Sequence, residues 1–182
     1  MFKDDDLLMH GKHAYYMQLL APRDKEQNAT RLFNRYIDVY MIGAVVGYIY
    51  GVKEDRDNQS EYKTKTANIP LTTIRRERTN LMIIYRTIML LDNKDETSEE
   101  TRIDRAFKDD LFDDRLKQKQ INDELFNSFV RGGISYLYEK LYNETLTIED
   151  RIERIMNLVE EFHDDYYDKN YLEEIDYEID RV

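Results

Sequence analysis

The stretch RLFNRYIDVYMIGAVVGYIYGV, residues 31–52, decides the predicted fold. After Asp38 it contains no charged side chain, and the fourteen residues from Val39 to Val52 are apolar, glycine or tyrosine. A helix that is polar on no side belongs in a protein core or an interface. A membrane span needs about 20 apolar residues, which is more than this run provides. We therefore predict a buried central helix at about residues 30–52, inside an all-α, single-domain bundle of six or seven helices.

The glycines of this stretch predict a close helix contact. Gly43, Gly47 and Gly51 fall four residues apart, on one side of a helix. Each glycine costs about 1 kcal/mol relative to alanine in a helix interior, so another backbone should approach closely there. Gly132 and Gly133 interrupt a second helical pattern and mark a kink or a contact with that glycine side. We expect tight packing within the domain; a self-association surface and a membrane dimer motif are the alternatives.

The composition favours helices and excludes some kinds of site. Among 182 residues there are only 2 prolines and 6 glycines, and the absence of cysteine excludes disulfides and thiolate metal sites. The acidic N-terminus lacks a hydrophobic signal core, so we expect a soluble protein of the cytoplasm. The net charge is −11, and residues 145–182 hold 13 acidic against 4 basic residues. This acidic C-terminal helical segment should repel nucleic acid and anionic membranes.

Periodic apolar residues predict the other helices. The clearest one begins after a cap at Thr147, and its apolar residues step by four and three along one side: Ile148, Ile152, Ile155, Val159, Phe162 and Tyr166. Further helices are predicted at residues 4–20, 71–91, 116–142 and 172–182, and after a capping box at residues 97–100. Residues 54–69 are predicted to be a long polar loop, in which residues 63–66 could alternate as a short strand without a partner strand.

The clusters of titratable residues give little indication of a catalytic or metal-binding site. The three histidines, His10, His13 and His163, are expected on the surface, and no second Glu-x-x-His accompanies Glu160 and His163 to complete a di-iron site. Acidic clusters near residues 96–104 and 160–165 could hold Mg²⁺ between two helices, but a chain of this composition produces acidic pairs by chance. We therefore predict no catalytic residue, no cofactor and no metal ligand.

One basic patch contrasts with the acidic chain. Its residues are Lys63, Lys65, Arg75, Arg76 and Arg78. Arginines in the first turns of a helix oppose the helix dipole, so we expect the patch to have a partner. The favoured partner is the acidic C-terminal segment, in the same subunit or across a dimer. Phosphate, held also by amides at the helix start, is the alternative.

These patterns predict a non-enzymatic interaction or accessory protein that self-associates through helix surfaces, with a dimer as the expected homo-oligomer. A nucleic-acid-related protein is the first alternative, in which the patch at 63–78 grips phosphates or the acidic helices imitate DNA. A Mg-dependent helical nucleotide pyrophosphohydrolase is the second. Light scattering, salt-sensitive DNA binding and nucleotide turnover distinguish the three.

Overall fold

A computed structural model gives the architecture of the protein. It describes residues 5–22, 31–93, 98–109, 115–142 and 147–168, with the helix backbone alone at 148 and 165–168. The elements are, in order, β1 (Leu7–His10), α1 (Gly11–Leu20), α2 (Tyr36–Ile49), β2 (Thr66–Ile69), α3 (Leu71–Arg76), α4 (Arg78–Leu91), α5 (Glu99–Phe107), α6 (Leu116–Leu141) and α7 (Ile148–Asp168). The predicted helical class is confirmed, since these seven helices accompany one two-stranded sheet within the described ranges. None of these helices is long and apolar enough to cross a membrane.

The chain divides into two compact units, residues 1–139 and residues 140–182. The first unit contains an apolar core to which α1, α2, α4 and α6 contribute. Its largest fully buried apolar and aromatic side chains are Met17, Leu20, Ile37, Tyr40, Ile69, Leu81, Tyr85, Met89, Phe126, Phe129 and Ile134. The second unit contains the last residues of α6 together with α7. The single domain predicted from the sequence stays a prediction.

The central helix α2 is shorter and less enclosed than predicted. It begins at Tyr36 and buries one side, which includes Ile37 and Tyr40. Ile42 and Ile49, in contrast, remain 43% and 44% exposed, so the prediction of burial on every side is wrong for them. The apolar run is therefore wider than the face that the neighbouring helices cover.

Gly51 does not belong to the predicted helical ridge with Gly43 and Gly47. It follows the end of α2 with φ of +65°, a left-handed conformation that glycine adopts without steric cost. Its N–H donates to Tyr48 O at 3.1 Å, and the N–H of Val52 donates to Gly47 O at 2.9 Å. This pair of hydrogen bonds is a Schellman motif, which satisfies carbonyls at the helix end.

The N-terminal helix prediction, residues 4–20, is wrong at residues 7–10. These residues form β1, which pairs antiparallel with β2 so that Leu7 lies opposite Ile69. The change from strand to helix occurs at Gly11, whose φ is +69°. Because few other residues adopt that conformation, the glycine separates β1 from α1.

The predicted loop at residues 54–69 is partly a strand. Residues 66–69 form β2, slightly later than the alternation at 63–66 suggested. Its partner strand is β1, in a segment for which the sequence predicts a helix.

The helix predicted at residues 71–91 is two helices. α3 ends at Arg76 and α4 begins at Arg78, with Glu77 between them at φ of −93° and ψ of 8°. Glu77 accepts a hydrogen bond from Arg35 at 2.6 Å, which fixes the break against the start of α2.

Two predicted caps have different outcomes. The cap at Thr147 is confirmed, because Asp150 N donates to its hydroxyl and Thr147 N donates to the Asp150 carboxylate. At α5 the cap is Ser98, whose hydroxyl accepts from Thr101 N, while Thr97 lies outside the described residues. The helix predicted at residues 172–182 also lies outside them.

Candidate functional site

The helices α2 and α6 cross where their glycines meet. A Cβ atom on Gly133 would lie 1.8 Å from Gly43 O, and one on Gly47 would lie 2.0 Å from Phe129 O. Side chains other than hydrogen cannot fit between backbones this close. Gly43 and Gly47, for which tight packing within the domain is predicted ahead of self-association, therefore lie against α6 of the same unit.

Gly132 makes room for a different segment. A Cβ atom there would lie 2.3 Å from the carbonyl oxygen of Val52, in the chain that leaves α2. The adjacent Gly133 faces α2 itself. The two glycines thus serve two separate close contacts of α6, and both contacts lie within the first unit.

Glu54 links α1 to α6 through a partly buried polar network. Its Oε2 accepts hydrogen bonds from His13 Nε2 at 2.7 Å and from Ser135 Oγ at 3.0 Å, and Lys12 Nζ lies 2.8 Å away. Burial alone would raise the pKa of Glu54, but the hydrogen bonds from His13, Lys12 and Ser135 outweigh burial and lower the pKa to about 2. His13 is completely buried, so the surface position predicted for this histidine is wrong. Its hydrogen bond to the carboxylate offsets the cost of that burial.

The Glu54 network has the residue types of a nucleophilic triad but not its geometry. In a triad the histidine accepts the proton of the serine and is itself held by the carboxylate. Here Ser135 and His13 both donate to Glu54, so His13 is not placed as a base toward the serine. The backbone of Glu54 is also fixed, since its N–H donates to Ser128 O and its carbonyl accepts from Arg131 Nε. The network therefore holds the loop after α2 in place against α6 by hydrogen bonds.

Asp57 fastens the same loop to the start of α1. Its Oδ2 accepts the backbone N–H of Lys12 at 2.7 Å, and its Oδ1 accepts the N–H of Ser60 at 2.9 Å. Hydrogen bonds, led by the one from the Ser60 hydroxyl, hold the pKa of Asp57 well below its usual range. Gly11 leaves room for this cap, because a Cβ there would lie 2.6 Å from Asp57 O.

The basic patch is exposed, but its helix context differs from the prediction. Lys63, Lys65, Arg75, Arg76 and Arg78 are all exposed in the first unit. Arg75 and Arg76 lie in the last turn of α3, where the helix dipole favours positive charge. These two arginines therefore do not oppose the helix dipole, and the prediction of a partner on that ground is wrong for them. Lys65 lies over the ring of Tyr15, with Nζ 5.9 Å from its centroid.

A cleft of about 390 Å³ lies between the N-terminal residues, α2, α3 and α6. Its lining residues are Asp5, Asp6, Leu7, Tyr40, Arg56, Ile74, Gln120, Asp123, Glu124, Phe126 and Asn127. A hydrogen bond from the side chain of Asn68 lowers the pKa of Asp6. Burial would raise the pKa of Glu124, but hydrogen bonds and charge from Arg56 and Arg131 lower it. A general acid at neutral pH needs a raised pKa, so neither carboxylate suits that role.

The acidic clusters do not assemble a metal site in the part of the chain that the structure describes. No three histidine, aspartate or glutamate side chains converge there as ligands. In the first cluster, Asp104 is bound by Lys108 at 2.6 Å and by Arg115 at 2.9 Å. Glu96, which belongs to the same cluster, lies outside the described residues. His163 of the second cluster is exposed and lies 3.4 Å from Asp164.

The helix α7 presents the longest run of exposed apolar side chains on any described element. We call this run the apolar seam: Ile152, Ile155, Met156, Val159 and Phe162. Each of these side chains is between 38 and 60% exposed. The other large apolar side chains exposed in the described ranges are spread over β1, α2, α4, α5 and α6. Scattered apolar residues are normal on a surface, whereas a contiguous patch marks an interaction site.

One flank of the seam is covered from within the second unit. The guanidinium of Arg151 lies 5.6 Å from the ring centroid of Tyr142, and Arg154 donates to Lys140 O at 3.3 Å. Lys140 Nζ in turn lies 3.0 Å from Glu161 Oε2. These contacts hold one side of α7 against the end of α6.

The other flank carries only negative charge. Since an α-helix has 3.6 residues per turn, Glu149, Glu153 and Glu160 line the edge of the seam next to Met156. We call these three glutamates the acidic rim. All three are exposed and have no ion pair with any residue that the structure describes. A helix that packs on the seam would therefore meet carboxylates along one edge.

The sequence pattern predicts Ile152, Ile155, Val159 and Phe162 as one apolar side of a helix, but it does not include Met156 or indicate what covers that side. The heptad spacing from Ile152 to Phe162, with glutamates beside it, was the available signal for an outward-facing contact surface. Glu54 and Asp57 were missed because nothing in a polar loop distinguishes a buried carboxylate from a solvated one. Comparison with known proteins finds no family model, no curated protein and no solved structure that matches this chain.

Proposed function

We propose that this chain is a non-enzymatic interaction or accessory protein that binds an amphipathic helix of another protein along the apolar seam of α7. The observation that carries the proposal is the seam itself, five apolar side chains within eleven residues of one helix, each 38 to 60% exposed. Burial of such side chains against a partner is favourable by about 25 cal/mol per Å². A second helix in heptad register is the shape that fits a straight row of this kind.

The rest of the molecule supports a binding role more than a catalytic one. The buried titratable groups around Glu54 hydrogen-bond one another and hold the fold together. The cleft between α2 and α6 has carboxylates with lowered pKa, which are poor proton donors. The cytoplasmic location expected from the sequence also remains a proposal, and it rests on the cysteine-free composition.

Binding to a synthetic helix tests the proposal. The probe is a fluorescent peptide with apolar residues at heptad spacing and uncharged flanks, titrated with the full chain and followed by anisotropy. We expect saturable binding that the double variant Ile152→Ser, Val159→Ser weakens at least about tenfold. Asn157→Ser is the matched control, because Asn157 is exposed on α7 away from the seam. Equal binding by the seam variant and the control would refute the proposal.

The homodimer expected from the sequence is a separate prediction. Size-exclusion chromatography with light scattering, at tens of micromolar, measures it on the same samples. A strict monomer would remove the dimer prediction and leave the binding proposal intact. A dimer that the seam variant abolishes would instead make a second copy the occupant of the seam.

A further inference from the structure

We infer that the helix which binds the apolar seam is cationic, with lysine or arginine along the edge that faces the acidic rim. The inference rests on the proposed function, and it adds the chemistry of the partner. Its basis is the asymmetry of α7: one flank lies against residues 140–142 of the same unit, and the open flank carries Glu149, Glu153 and Glu160.

The spacing of the rim sets the spacing of the partner's charges. Glu149, Glu153 and Glu160 stand four and seven residues apart, which is the same repeat as the seam beside them. Charges at the edge of an interface favour a partner that brings the opposite charge to that edge. A partner with basic residues four and seven apart, on one edge of its apolar row, would pair with all three glutamates.

The same charges disfavour the two other occupants. In the described helix α7, from residue 148 to residue 168, eight side chains are acidic and two, Arg151 and Arg154, are basic. An antiparallel second copy of α7 would bring one rim of glutamates toward another, and like charges across an interface are unfavourable. A parallel copy would instead set the rim against the flank that already lies on residues 140–142. An anionic membrane surface would be repelled for the same reason, since interfacial helices use lysine and arginine beside their apolar face.

Three peptides with one apolar row and different flanks test the inference against the full-length protein. The flanks are lysine, serine or glutamate at the four-and-seven spacing. We expect the lysine peptide to bind about tenfold more tightly than the serine peptide at about 50 mM salt, and the glutamate peptide to bind most weakly. The advantage of lysine should shrink at about 500 mM salt, because exposed ion pairs are screened.

Rim variants show whether these glutamates are responsible. The triple variant Glu149→Gln, Glu153→Gln, Glu160→Gln should bind the lysine and serine peptides equally. The reversal Glu149→Lys, Glu153→Lys, Glu160→Lys should prefer the glutamate peptide, and this gain of binding separates a contact role from loss of folding. A lysine preference that survives both variants would overturn the inference.

The remaining outcomes distinguish the inference from the proposed function. Equal binding of all three peptides, with loss in the seam variant, would refute the cationic partner and leave the proposed function standing. Failure of every peptide, the lysine one included, would refute the proposed function as well. Binding to vesicles of phosphatidylcholine and phosphatidylserine, or a dimer that depends on the seam, would assign the seam to lipid or to a second copy and overturn the inference.

Discussion

Replacing Gly133 by alanine tests whether the α2–α6 crossing organises the first unit. In an ordinary helix interior, glycine to alanine stabilises by about 1 kcal/mol, because alanine loses less conformational entropy on folding. At this crossing the added methyl group has no space. It would lie 1.8 Å from Gly43 O and 2.7 Å from Gly47 N, and both of these atoms belong to the backbone of α2.

The size of the effect follows from the separation that the methyl group demands. Cβ atoms essentially never come closer than 3.0 Å to such neighbours, so the backbones must part by at least the difference from 1.8 Å, about 1.2 Å. Overpacking of a well-packed interior costs about 1 to 3 kcal/mol, and a rigid backbone places this site at the upper end. After subtraction of the propensity gain, we expect Gly133→Ala to destabilise by about 2 kcal/mol.

Gly43→Ala on the same ridge is the matched control. There the new Cβ would meet Ile134 Cγ1 at 3.0 Å and Val130 O at 3.1 Å, so that shifts of a few tenths of an ångström would relieve both contacts. The gain in helix propensity should then nearly cancel the packing cost, so we expect a change within about 1 kcal/mol. The same substitution at Gly43 and at Gly133 thus separates backbone contact from intrinsic propensity.

Urea denaturation followed by circular dichroism at 222 nm measures both variants. The midpoints report stability as long as the slope of the transition is unchanged. If Gly133→Ala proves as stable as the parent or more stable, helix propensity alone determines the effect, and the close contact between α2 and α6 at Gly133 is refuted. A loss at Gly43 that equals the loss at Gly133 would also contradict the geometry, because the two sites differ in the distance to the backbone.

Three further predictions follow from single sites. Gly51→Ala should destabilise by about 1 kcal/mol, measured as a fall in the urea midpoint, because alanine must adopt the left-handed φ of +65°. The pKa of Glu54 is lowered from 4.5 to about 2, so its stabilisation is present above pH 4.5 and is lost as the pH falls from 4.5 toward 2. Between pH 4.5 and 2, the free energy of unfolding of Glu54→Gln should therefore fall by about 2 kcal/mol less than that of the parent, a figure that allows for the partial exposure of Glu54. An unchanged pH dependence would contradict the lowered pKa of Glu54. Phe129→Ala, at a fully buried side chain, should cost about 3 to 5 kcal/mol, whereas Val159→Ala, at a 60% exposed one, should change the melting midpoint little.

Periodicity predicted the helices because an amphipathic helix is recorded locally in its own residues. The segments that became α4, α6 and α7 each repeat apolar side chains at three and four residues, and each is helical in the structure. The break at Glu77 was not visible in the same pattern. It depends on a hydrogen bond from Arg35, which is distant in sequence.

The features that were missed depend on contacts between distant segments. β1 has four residues and exists because it pairs with residues 66–69, so no local pattern distinguishes it from the first turn of a helix. The Glu54 network likewise joins α1, the loop and α6, with His13 and Ser135 each far from Glu54 in sequence. A polar residue can be assigned to such a network only when its neighbours in space are known.

The apolar pattern of α7 shows why periodicity predicts a helix more securely than it predicts burial. A row of apolar residues at heptad spacing specifies that something apolar must cover it, but it does not specify whether the cover belongs to the same chain. In α6 the cover is α2, and the glycines at positions 43, 47 and 133 reveal it, because glycine in a helix interior is unfavourable unless a backbone lies against it. α7 contains no glycine, and its row is edged by glutamates that a core would have to desolvate. Glycine beside an apolar row thus favours an internal contact, whereas carboxylates beside it favour a contact with another molecule that supplies the opposite charge.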